Sequence, residues 1–216
     1  MKGLVVFDLD GTLIDSSQDL ATAVNRALQR VAPGSEPLRL ETVRGMIGEG
    51  ARNLVAKSLA EAGVAQTPEE FLPVFLECYS ECLLDRTLPY PGVMEALDRL
   101  DGWALAVLTN KPGDMSRLIL ERLGMRERFF RVYGGGDLPS RKPDPEGLQR
   151  LLAEADARAE DAVMVGDSAI DVRTGRAAGV RTVGVSYGLD PESLRREPPD
   201  VLIDDMRELP GLLRRR

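Results

Sequence analysis

Leu4-Val5-Val6-Phe7 is a short apolar run of β-favouring residues, and it ends on two carboxylates, Asp8 and Asp10. A buried strand does not accept two aspartates in its interior. The strand must therefore finish here, and the alternation of side chains along it sends both carboxylates in the same general direction. Gly11 then permits a sharp turn, and the Thr12 hydroxyl can hydrogen-bond a neighbouring carboxylate. An isolated Asp-x-Asp-Gly is equally well an ordinary turn. The rest of the chain decides between the two.

The 216 residues contain no histidine, which removes Ser-His and Cys-His nucleophilic catalysis and the usual zinc sites. Chemistry has to run on carboxylates, lysine, hydroxyls or a hard metal ion bound through oxygen. A net charge of −7 argues against general binding to nucleic acid or membrane surfaces, so positive charge for an anionic substrate has to be local. The closing Arg214-Arg215-Arg216 reads as a solvated end rather than a nucleic-acid contact. No apolar run approaches the length of a membrane span, and Met1-Lys2-Gly3 leads directly into the first strand, which gives a cytoplasmic expectation. Cys78 and Cys82 share a predicted helix face with Phe71, Val74 and Phe75 and read as core.

From Asp19 to Val31, Leu20, Val24, Ala27, Leu28 and Val31 recur on one helical face, with Ser16 or Ser17 available as the cap. A short helix over Leu40 to Ile47, another over Ala51 to Ala62, and a third from the Thr67/Glu70 capping box to about Leu84 follow. Pro73 falls inside the last of these. So much helix is too long for a single crossover between strands, so residues 16–87 form a helical cap subdomain inserted into a core of residues 1–15 and 88–216. Leu88-Pro89-Tyr90-Pro91-Gly92 is the return point. Beyond it, strands over Ala104 to Leu108, Phe130 to Tyr133, Ala162 to Val165, Val180 to Val185 and Val201 to Ile203 alternate with helices. That is the pattern of an α/β, doubly wound parallel sheet.

Three polar clusters come after these strands: Thr109-Asn110-Lys111, Arg141-Lys142-Pro143-Asp144-Pro145, and Gly166-Asp167-Ser168-Ala169-Ile170-Asp171. Ligands of an open parallel sheet bind outside the carboxyl ends of its strands, where these clusters can meet Asp8 and Asp10. Together they make a phosphoryl-transfer site. Asp8 can act as the carboxylate nucleophile, and Asp10 can protonate the leaving oxygen and then accept a proton from water. Asp8 and Asp167, with a backbone carbonyl and waters, suit Mg²⁺, and Asp171 can hold those waters from behind. The Thr109 hydroxyl and Asn110 N–H can receive the phosphoryl oxygens, while Lys142 supplies fixed positive charge.

Asp8-Leu9-Asp10-Gly11-Thr12, Thr109-Asn110, Lys142-Pro143, and Gly166-Asp167 with Asp171, in this order, resemble the four motifs of the haloacid dehalogenase superfamily. The resemblance covers essentially the whole chain. It implies a Rossmann-like core with strand order 5-4-1-2-3, Mg²⁺ dependence, an aspartyl-phosphate on Asp8, and a metal contact from the Asp10 carbonyl. It also implies that the helical insert is a mobile cap that closes over the substrate.

The second aspartate, Asp10, points to the phosphatases of the superfamily. The runs Gly135 to Pro145, Thr109 to Pro112 and Gly48-x-Gly50-Ala51 are similar to those of phosphoglycolate phosphatases. That resemblance makes a small phosphorylated metabolite the partner, with 2-phosphoglycolate leading. Sugar phosphates, nucleoside monophosphates or pyrophosphate stand as alternatives, with a phosphomutase or a non-catalytic phospho-ligand binder behind them. It also makes Glu49, Gly50 and Arg52 the cap's candidate substrate contacts. The family often carries asparagine in place of Glu49, which would repel a substrate carboxylate that Arg52 could pair with. The residues leave monomer or homodimer open.

Overall fold

A computed structural model of the chain describes residues 3–213. In chain order it contains β1 (Leu4–Phe7), β2 (Ile14–Asp15), α1 (Ser17–Val31), α2 (Leu40–Arg44), α3 (Ala51–Ala62), α4 (Pro68–Cys82), β3 (Leu88–Pro89), α5 (Val93–Asp98), β4 (Ala104–Pro112), α6 (Gly113–Arg122) and β5 (Arg131–Gly135). It continues through α7 (Glu146–Glu154), β6 (Ala162–Gly166), α8 (Ala169–Ala177), β7 (Arg181–Val185), α9 (Pro191–Arg196), β8 (Val201–Ile203) and α10 (Leu209–Leu213). The final three arginines lie outside the described residues. Among those described, no helix is long and apolar enough to cross a membrane.

The chain divides into two compact units, one running up to Ile14 and again from Pro89 onward, the other Asp15–Leu88. In the first, six strands form one sheet in the order β5-β4-β1-β6-β7-β8, parallel throughout. This is the expected doubly wound α/β core, with β8 added beside β7 at the edge. Leu4 and Val6 pack with Ala106, Leu108 and Met164 against Leu148 and Leu151 of α7 and Ala155 just beyond it. Side-chain alternation turns Val5 and Phe7 to the opposite face, where Phe7 meets Phe129 edge-on at 6.2 Å. Buried on both faces, β1 can be apolar at every position.

The Asp15–Leu88 unit is helical. Leu20, Val24, Ala27 and Leu28 of α1, Leu54, Val55 and Leu59 of α3, and Phe71, Phe75, Cys78, Tyr79 and Cys82 of α4 are buried. Tyr79, stacked on Phe75 at 5.8 Å, takes the core place that periodicity assigned to Val74, which lies on the flank of the stripe and is half-buried. Helix α4 runs through Pro73 and ends at Cys82, two residues earlier than expected, and Thr67 and Glu70 form the expected capping box. Neither Ser16 nor Ser17 caps α1 with its side chain. Asp15 does so instead, its Oδ1 accepting from Ser17 N at 3.0 Å and Ser17 Oγ at 2.6 Å.

Candidate active site

The register of β1 sets the site. Phe7 lies level with Val107 of β4 and Val165 of β6, so the polar residues that follow these strands emerge at one edge of the sheet. Asp8 donates its backbone N–H to the Val165 carbonyl at 2.9 Å, staying in line with the strand as its carboxylate leaves the core. The chain then folds back on the Leu9 carbonyl, which accepts from Leu13 N at 2.9 Å and Ile14 N at 3.1 Å. Gly11 has φ 87°, and a Cβ there would come within 2.2 Å of Asp167 Oδ2. Only glycine combines that conformation with so close an approach. Thr12 Oγ1 donates to Asp167 Oδ1 at 3.3 Å, which identifies the carboxylate partner expected for it.

Asp167 directly follows β6, and its Oδ2 accepts the Leu189 backbone N–H at 2.7 Å. Asp171 lies in the first turn of α8, where Oδ2 accepts from Ser168 N at 3.1 Å and Ser168 Oγ at 2.8 Å in a capping box. Asp167 precedes the cap residue Ser168, whereas Asp171 lies inside α8, which begins at Ala169. Carboxylate oxygens of Asp8, Asp167 and Asp171 nonetheless lie within 4.8 Å of one another, all buried.

Lys142 reaches into this group, its Nζ 2.8 Å from Asp8 Oδ1 and 2.6 Å from Asp171 Oδ1. Burial disfavours the ammonium, but the charges of Asp171 and Asp8 outweigh it and hold the Lys142 pKa above its ordinary value. Burial is also the largest influence on Asp8, raising its pKa to about 6 against the pull of Lys142, with Asp171 adding to the rise. Asp167 is pushed well above the usual carboxylate range by burial, then by Asp171 and Asp8. Three buried carboxylates share one ammonium, and every remaining donor is oxygen. That deficit of positive charge fits a hard divalent cation.

Thr109, Asn110 and Lys111 do not follow β4, as the sequence suggested, but form part of it, with an irregular register after Leu108. Glycines on β5 explain the extension. A Cβ on Gly135 would stand 2.8 Å from the Asn110 carbonyl, and one on Gly134 2.4 Å from Gly113 Cα, so bulkier residues would force the strands apart. Lys111 N donates to Thr109 Oγ1 at 3.2 Å, and Asn110 Nδ2 donates to the Lys142 carbonyl at 3.1 Å. The Asn110 side chain therefore anchors the loop that carries Lys142.

One further group was not singled out from sequence. Lys111 is buried, and its Nζ lies 3.1 and 3.2 Å from the two carboxylate oxygens of Asp10. The available signal was a lysine, one of only four in the chain, placed directly after an apolar strand. In the other unit, Glu49 accepts from Asn53 Nδ2 at 3.0 Å and pairs with Lys57 Nζ at 3.1 Å. Arg52 donates through Nε to Glu69 at 3.0 Å, and Gly50 precedes α3 with φ 89°. The charges of Glu49 and Arg52 are thus engaged inside their own unit.

Residues 5–185 match the family model described as haloacid dehalogenase-like hydrolase. A phosphoglycolate phosphatase of Pseudomonas fluorescens is 40% identical over 97% of this chain and 79% of its own length. One from Psychrobacter arcticus is 37% identical over 96% of this chain and 94% of the relative. The crystal structure of a predicted phosphoglycolate phosphatase from Haemophilus somnus superposes with TM-score 0.91 at 31% identity, covering 98% of both chains. The sheet order, the acidic cluster at its carboxyl edge and these likenesses agree: the chain belongs to the haloacid dehalogenase-like hydrolases and is a phosphoric monoester hydrolase.

Proposed function

We propose that the chain hydrolyses 2-phosphoglycolate to glycolate and phosphate, with Mg²⁺, through an aspartyl-phosphate on Asp8. One observation carries this reading. Asp8 stands in a buried cluster with Lys142, Asp167 and Asp171, while Asp10, two residues on, is held separately by Lys111. A nucleophile and a proton carrier on one strand end need that separation.

An oxygen of Asp8 attacks phosphorus as the bond to the ester oxygen breaks, and Asp10 gives its proton to that oxygen. Asp10 then takes a proton from water, whose oxygen attacks phosphorus, freeing phosphate and restoring the Asp8 carboxylate. Thr109 Oγ1 and the Asn110 N–H receive phosphoryl oxygens, and Lys142 balances their charge from its place between Asp8 and Asp171. Asp8 and Asp167, the Asp10 carbonyl and, from behind, Asp171 would hold Mg²⁺, which when bound neutralises phosphoryl charge. From the helical unit, Glu49, Gly50 and Arg52 are the residues we propose for the part of the substrate beyond the phosphate. The substrate assignment is supported by relatives that bear the name phosphoglycolate phosphatase. A cytoplasmic setting accords with two buried, unbridged cysteines, Cys78 and Cys82.

The test is phosphate release from 2-phosphoglycolate, sugar phosphates, nucleoside monophosphates and pyrophosphate, each with Mg²⁺ and with a chelator. A kcat/KM for phosphoglycolate at least about tenfold above the others, lost on chelation, is the expected result. Metal-dependent release without that preference would remove the substrate and keep the reaction.

A further inference from the structure

We infer that Lys111 is the specificity-determining cation of this site, the group that receives the carboxylate of an acidic leaving alcohol. The inference rests on the reading of Asp10 as the proton carrier. Two lysines are buried in the core, and they are divided between the two aspartates of β1's end: Lys142 on Asp8, Lys111 on Asp10. If Asp8 takes the phosphoryl group, Lys142 belongs to the phosphate side. If Asp10 protonates the ester oxygen, Lys111 belongs to the leaving-group side.

Distance makes the assignment specific. The Lys111 ammonium lies 3.1 and 3.2 Å from the Asp10 oxygens, one of which must come within hydrogen-bond reach of the ester oxygen to pass its proton. In phosphoglycolate a single methylene separates that ester oxygen from the carboxylate carbon. A carboxylate held so short a way off therefore falls within reach of the same ammonium, which has three donors to share. Charge supports this. Lys111, its side chain 3% exposed, is balanced by the Asp10 carboxylate only while that group is ionised. When Asp10 carries the proton it donates, a substrate carboxylate takes over as the anion the buried ammonium requires. Arg52 is the less suitable cation, being more than half exposed and paired with Glu69.

The experiment compares kcat/KM for 2-phosphoglycolate and for its neutral amide, 2-phosphoglycolamide, in the wild type, Lys111→Gln and Lys111→Arg. The wild type should favour the acid, and Lys111→Gln should cut that preference by about 10- to 100-fold, the worth of a hydrogen bond to a charged group, while Lys111→Arg keeps most of it. An equal loss on both substrates in Lys111→Gln would overturn the inference, leaving Lys111 as a support for Asp10 only. A wild type without preference for the acid would remove the phosphoglycolate reading as well, so the two failures are distinguishable. Should Lys111→Gln not fold, the wild type answers directly. With lysine side chains isotopically labelled, its four lysines give four side-chain NMR signals, the Lys111 signal being assigned by its absence in Lys111→Arg. Glycolate should move that signal and glycolamide should not; a signal indifferent to glycolate would refute the assignment.

Discussion

The two units handle charge in opposite ways. In the core, Asp8, Asp10, Asp167, Asp171, Lys111 and Lys142 are all buried, and each lysine is committed to a carboxylate. In the helical unit, the pairs Glu49 with Lys57 and Arg52 with Glu69 stand 40% exposed or more. Water screens the second set and leaves its members nearly interchangeable, whereas burial makes each member of the first set depend on the others. The contrast separates buried, mutually dependent charges from screened surface pairs, and it ranks the consequences of disturbing them.

The largest effect is expected at Asp8. Asp8→Asn keeps the shape of the side chain and removes the proposed nucleophile, so phosphate release should fall by at least about 10³-fold, more than about 4 kcal/mol of barrier, with a retained folded circular dichroism spectrum. Undiminished turnover would return Asp8 to a structural role. Next comes the helical unit's own exception, Asp19. It is 1% exposed and accepts from Thr87 Oγ1 at 2.6 Å, Thr87 N at 2.8 Å and Arg86 N at 3.0 Å. Asp19→Ala leaves the two buried Thr87 donors unpaired and should cost about 2–4 kcal/mol in urea unfolding. A loss under about 0.5 kcal/mol would place Asp19 with the solvated pairs.

The same contrast explains what could be read from the residues. Sheet, helices and the acidic turn follow from local periodicity and from the rule that carboxylates cannot sit inside a buried strand, so Leu4 to Thr12 was legible at once. Pairings between distant residues were not. Asp19 looks like an ordinary first-turn acid of α1, and only the folded chain brings Arg86 and Thr87 to it. Lys111 reads as part of a loop because the glycines that keep β4 in the sheet lie more than twenty residues further on. Asp15 displaces the serines as the cap of α1 because an Asx turn at the strand's exit competes with their hydroxyls, a choice propensity leaves open.

A smaller effect tests the charge deficit of the core. Without a cation, the Asp8 pKa stands at about 6 in the folded protein against an ordinary 3.8. A raised pKa means that its contribution to stability is fully present below about 3.8 and lost as pH rises through about 6. A bound dication favours the ionised form and reverses that loss. The stability gained on adding Mg²⁺ to chelated protein should therefore be about 1–2 kcal/mol larger at pH 7.5 than at pH 5, a difference of a few degrees in Tm. Comparing metal with chelator at each pH cancels the surface carboxylates, which titrate alike in both. Equal gains at the two pH values would mean that the cation does not bind against Asp8.

The smallest effect is expected at Arg52. Its guanidinium is 57% exposed, and Glu69, its partner at the start of α4, is held below the usual carboxylate range first by that hydrogen bond. An exposed pair of this kind is screened and spends side-chain entropy to form, so Arg52→Ala should leave Tm within about 1 °C. The kinetic outcome separates two cations competing for one substrate carboxylate. With Lys111 as its partner, KM for 2-phosphoglycolate should rise no more than about threefold in Arg52→Ala, whereas a rise beyond about tenfold, absent for the neutral amide, would move recognition to the helical unit. Such a rise would also mean that Arg52 leaves Glu69 when substrate binds, and the screened surface pair would then be a specificity device kept cheap enough to break.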